Sequence, residues 1–212
     1  MEIANKYIVQ DIPKTIINHI SGEWPRTLVE WNIRRKELES IPQSTHRTFP
    51  EPVAAIQFAT LHGAPDLLPA AFYQLCITPT TSDWDAALLK EEPAALDLAA
   101  RWSSLDAENA VRFAKGRDAL FRYYFNNVSE RISCRLHSSC PFKQSKCREI
   151  DSARGCFHHD CLKQLQAFID QPAAVIEVTY CWGKHEKNLR ALQAEIWDKL
   201  PDFFELERPT AP

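Results

Sequence analysis

Residues 52–76, PVAAIQFATLHGAPDLLPAAFYQLC, constrain the fold more than any other stretch, because they read as two short apolar helices turned back on each other at Gly-Ala-Pro. Val53, Ala54, Ala55, Ile56, Phe58, Ala59 and Leu61 leave the first helix almost no polar face, which places it in a core and not on a surface. Gly63 ends it. Glycine takes the left-handed conformation that a helix end uses, Pro65 cannot donate to a continuing helix, and Asp66 stands where it would cap the next one.

The same pattern occurs earlier in the chain. ANKYIVQDIPKTII (residues 4–17) aligns without a gap on ATLHGAPDLLPAAF (59–72), Asp11 falling on Asp66 and Ile12 on Leu67, so that Ala59 stands 55 positions after Ala4. Hairpins too small to bury their own apolar faces stack side by side, so residues 4–20 and 52–76 are expected to be superimposable hairpins.

Elsewhere apolar residues recur at three- and four-residue steps and nowhere alternate at two, which predicts an all-α fold of stacked helical hairpins. Leu28, Trp31 and Leu38 are placed to pack inward, with Arg34, Arg35 and Lys36 as a solvated face. Asp83 or Ser82 is expected to cap a helix holding Trp84, Leu88 and Leu89, and Leu96, Leu98, Ala99 and Trp102 to be buried after it. Asp106 starts the longest helix, whose stripe runs through Ala110, Phe113, Ala114, Leu120, Phe121, Tyr124, Phe125 and Val128. Arg117 interrupts that stripe, which predicts a half-buried guanidinium paired with a carboxylate. Leu162, Leu165 and Ile169 form a short apolar face, and Trp182, His185, Leu189, Leu192 and Ile196 a longer one on the last helix, over about 183–200.

Between 133 and 161 the helical periodicity stops and cysteine density rises: Cys134, Cys140, Cys147, Cys156 and Cys161 fall within 28 residues, and Cys181 follows. A cysteine-rich irregular loop before the C-terminal helices can gain order from a tetrahedral zinc ion instead of a core. No C-x-x-C occurs, so structural zinc, free thiols and disulfides all remain open. Cys156 with His158, and Cys181 with His185, bring thiol and imidazole close in sequence, but sequence adjacency defines no nucleophile and base. There is no G-x-S-x-G, H-E-x-x-H or phosphate-binding glycine loop, and the expectation is a protein that is not an enzyme. The six tryptophans read as core anchors, with Trp24 or Trp182 available for an interface.

Net charge is −3, from 25 basic and 28 acidic residues, which argues against nucleic acid as a partner. No run approaches a membrane span, and Glu2, Asn5 and Lys6 leave no room for a secretory signal, so an intracellular, cytoplasmic or nuclear protein is expected.

ANKYIVQDI, TLVEWN, EPVAAIQFATLHGAPDLLPAAFYQLC, the GRDAL that begins at Gly116 and IWDKLPDFFEL, in this order, resemble the helical region that follows the BTB fold in fungal BTB/POZ-domain proteins. The resemblance spans nearly the whole chain and implies a non-enzymatic protein-protein interaction module. Met1 falls at what looks like the last helical hairpin of the BTB fold, so it implies neither BTB dimerisation nor cullin binding for this chain. In the resembled proteins one cysteine pair precedes a short helix and another precedes the last helix. Cys156 and Cys161 look like the first pair and Cys181 like the second member of the other, with Val178 at the place of its first. A metal set of Cys156, Cys161, Cys181 and His158 follows, with His159, His185 or another cysteine as substitutes for His158. Zinc would bring the three sulfurs within roughly 4 Å of one another.

The expected organisation is a helical-hairpin region over 1–132, the cysteine-rich loop over 133–161, and a C-terminal helical segment over 162–212 packed on the first region. Its expected role is to present a groove between hairpins to a protein partner. The alternative is a zinc-stabilised regulatory or nucleic-acid-associated module.

Overall fold

The computed structural model describes residues 20, 22–40, 51–89, 98–131, 160–170 and 179–207, the side chains of 179–182 excepted. These residues form eight α-helices, two 3-10 turns and one isolated bridge, Asp83 to Ala100, with no strand among them. The all-α expectation holds. The expected hairpin over 4–20 lies outside the described residues.

Helix α1 (Leu28–Ser40) begins at a reciprocal cap. Thr27 Oγ1 accepts from the Glu30 N–H at 3.2 Å, while the Glu30 carboxylate accepts from the Arg26 and Thr27 N–H groups at 2.7 and 3.1 Å. Trp31 is its buried anchor. Arg34 and Arg35 are not a solvated face: Arg34 pairs with Glu23 at 3.2 Å and Arg35 with Asp160 at 3.5 Å, each mostly covered.

The expected central hairpin is α2 (Pro52–His62) followed by α3 (Leu68–Ile77). Gly63 closes α2 at φ 64°, and its N–H bonds the Ala59 carbonyl. Asp66 caps nothing; it sits in the 3-10 turn Pro65–Leu67, and α3 starts without a side-chain cap. The order of burial also differs from expectation. On α2, Leu61 is 78% exposed and Ala54 faces solvent, whereas every residue of α3 from Ala70 to Ile77 is buried. Helix α3 is the central element because α2, α5 and α8 all pack on it.

Asp83 caps α4 (Trp84–Leu89) through the Ala86 N–H at 2.8 Å. Ala99 is buried as expected, Trp102 is half-buried in the 3-10 turn Trp102–Ser104, and Leu98 is exposed. Asp106 caps α5 (Ala107–Arg131, 25 residues, about 37 Å) through the Asn109 N–H. Of the expected stripe, Phe113, Leu120, Tyr124 and Val128 are buried together with Gly116, Ala110, Phe121 and Phe125 are partly covered, and Ala114 is exposed. Arg117 takes another arrangement than the expected carboxylate pair: it is partly exposed, and its guanidinium lies 5.1 Å from the Phe113 ring centre. No ion pair holds it among the described residues.

Asp160 caps α6 (Cys161–Ile169), the short helix expected to follow the cysteine-rich loop. Helix α7 (Thr179–Asp198) buries His185, Leu189, Leu192 and Ile196 against α5 and α6 and also touches α1; α8 (Leu200–Phe203) follows. Ring contacts join these parts. Trp31 meets Tyr73 edge to face at 5.1 Å and Trp197 at 5.6 Å, and Phe72 stacks on Phe204 at 5.0 Å.

Candidate interaction groove

Three segments distant in sequence converge beside the α2–α3 turn. The entry to α1 contributes Arg26 and Leu28, the turn and α3 contribute Asp66 and Pro69, and the α7–α8 junction contributes Trp197 and Asp198 to a groove of about 330 Å³. The capping box at Thr27 and Glu30 fixes the first segment. The turn fixes the second, because Gly63 reverses the chain and Pro65 opens the 3-10 turn. The third is fixed by Pro201: lacking an N–H, it cannot bond the Trp197 carbonyl one turn back, so α7 stops at Asp198.

Trp197 links the walls. Its indole N–H donates to the Arg26 carbonyl at 3.3 Å, and its ring packs on Trp31. The floor is therefore held by the core, while the rim is charged and open. Arg26 and Asp66 pair loosely at 3.8 Å with both side chains partly exposed, a contact worth about 0–1 kcal/mol. Asp198 is exposed and makes no ion pair among the described residues.

A second, smaller cleft of about 160 Å³ lies between α1 and α6, lined by Arg35, Glu39 and Lys163 among others. Two of its cations are already engaged, since Lys163 pairs with Glu39 at 2.8 Å and Arg35 with Asp160 at 3.5 Å. The Lys163 hydrogen bond holds the Glu39 carboxyl below its usual range.

Of the expected metal ligands, Cys156 and His158 lie outside the described residues, as does the side chain of Cys181, which stands in the first turn of α7. The described donor, Cys161, is wholly buried. Its sulfur lies 3.5 Å from the Tyr73 hydroxyl, which donates to Asp160 Oδ1 at 2.8 Å and accepts from the Leu162 N–H at 3.0 Å. Burial, opposed by the Tyr73 hydrogen bond, pushes the Cys161 thiol up to about 12. Burial, then the charge of Asp160, raises Tyr73 well above the usual tyrosine range, and burial, then Cys161, does the same to the Cys76 thiol. No group of three or more His, Cys, Asp and Glu with metal-site geometry occurs among the described residues.

His185, one of the expected substitute ligands, is enclosed at the end of α5, and burial, ahead of the opposing Arg131 carbonyl hydrogen bond, lowers its pKa. Trp24, one of the two tryptophans read as available for an interface, is buried in the core. The groove itself has one local sequence signal, the T-x-x-E of the capping box at 27–30, which locates a helix start but not what faces it. No helix among the described residues is long and apolar enough to cross a membrane. No family model, curated protein or solved structure matches the chain.

Proposed function

We propose that this chain is a non-enzymatic protein-interaction module, similar in role to the helical C-terminal part of fungal BTB/POZ-domain proteins, and that it binds a protein partner inside the cell through the groove beside the α2–α3 turn. The observation that carries the proposal is the groove's construction. A floor anchored by Trp197 to the core meets an open rim of Arg26, Asp66 and Asp198, which is the pattern of an apolar centre with a polar edge found at protein interfaces. A volume of about 330 Å³ suits one or two apolar side chains from a partner segment.

Selection of a displayed peptide library on the purified chain tests this. Enriched peptides are expected to lose binding when exposed Ala194, which lines the groove, is changed to the bulky, neutral Trp, and to keep it when Glu108 on α5, 80% exposed, is changed to Lys. A selection that enriches nothing, or peptides indifferent to Ala194→Trp, would refute the groove as the binding surface.

A further inference from the structure

Resting on the groove reading above, we infer that the partner segment is cationic and amphipathic, an apolar anchor flanked by Lys or Arg. Two carboxylates, Asp66 and Asp198, line the groove against a single guanidinium, Arg26, which already leans on Asp66. Asp198 is also the last residue of α7, where the helix dipole places about half a negative charge. The last turn of α7 carries no basic residue to offset it, and the next residue, Lys199, turns its ammonium onto the Tyr123 ring at 5.6 Å.

These terms share one sign at one place. A neutral ligand would gain nothing from them. An acidic peptide or a phosphate backbone would be repelled, which separates this partner from nucleic acid. A Lys or Arg near Asp198 completes the missing helix-end cation and ion pair together, while the apolar floor takes the adjacent side chain. At the contact distance of a surface pair each such charge interaction changes affinity by roughly fivefold in water, and more where the groove excludes water.

The test uses three labelled amphipathic peptides of one length and apolar pattern, built from Lys and Leu, Gln and Leu, or Glu and Leu, with binding followed by fluorescence anisotropy on the full chain. The Lys/Leu peptide is expected to bind about tenfold more tightly than the Gln/Leu peptide, and Asp198→Lys to abolish that preference. Glu108→Lys, the same charge change placed elsewhere, is expected to leave it intact. Asp198 is exposed, and its variant's unchanged thermal midpoint confirms folding. Equal weakening by Asp198→Lys and Glu108→Lys, or equal binding of the Glu/Leu peptide, overturns the cationic partner. If the three peptides bind equally and Ala194→Trp abolishes all three, the groove reading stands while the partner class fails. If Ala194→Trp changes none, both fail.

Discussion

Gly116 shows how one residue is dictated by a contact 88 positions away. A Cβ built on it would lie 2.0 Å from Phe204 Cδ1, and that ring has no room to retreat, being wholly buried and stacked on Phe72. Gly116→Ala gains up to about 1 kcal/mol of helix propensity, but the overlap outweighs it. Urea unfolding is expected to show net destabilisation of about 1–3 kcal/mol. The cluster around Tyr73 makes a second residue-scale prediction. Tyr73→Phe strands the buried Leu162 N–H and removes a donor from Asp160, so a loss of about 1–3 kcal/mol is expected in the same assay. The Cys161 thiol, held near 12, is expected to resist alkylation at neutral pH by roughly a thousandfold relative to an ordinary cysteine. Peptide mapping after iodoacetamide, with and without denaturant, measures that protection; rapid native labelling at Cys161 would contradict its enclosure.

At the scale of elements, the α2–α3 hairpin was legible because its signals are local. Gly63 ends α2 in the left-handed region, and Asp83 and Asp106 cap the helices the sequence assigns to them. Asp66 fails as a cap because Pro65 begins a 3-10 turn there, leaving its carboxylate for Arg26. The actual cap of α2 is Glu51, whose buried carboxylate accepts from Val53 and Ala54 and also from the Arg101 N–H at 2.9 Å. It joins the hairpin to the segment before α5. Glu51→Ala therefore removes one helix cap and one interelement bond, with an expected cost of about 2–3 kcal/mol by thermal or urea unfolding. A cost below about 0.5 kcal/mol would mean that water replaces the carboxylate without penalty.

For the whole molecule, His185 couples stability to pH at the contact between α5 and α7. Its folded pKa lies below the ordinary value of 6.5 because burial disfavours the cation. The unfolded chain therefore takes up a proton first as pH falls. Its contribution is complete above about pH 6.5 and is lost progressively from there down through the lowered folded value. The urea midpoint is expected to fall between pH 7.5 and 5.5, and His185→Gln to flatten that slope; identical slopes would assign the effect to other groups. The sequence by itself determined the helical class, the hairpin at 52–76, the caps at Asp83 and Asp106, and the inward stripes of α5, α6 and α7. Each depends on residues within a few turns of one another, where backbone hydrogen bonding and side-chain periodicity act. Tertiary structure alone decided that α3 and not α2 is wrapped on all sides, since both are apolar and only the packing of α5 and α8 distinguishes them. It also gave Arg117 the Phe113 ring in place of a carboxylate, enclosed Arg35 against Asp160, and built the groove from residues near 26, 66 and 198. Those outcomes arise from contacts between elements, and no local pattern in the chain encodes which surfaces will meet.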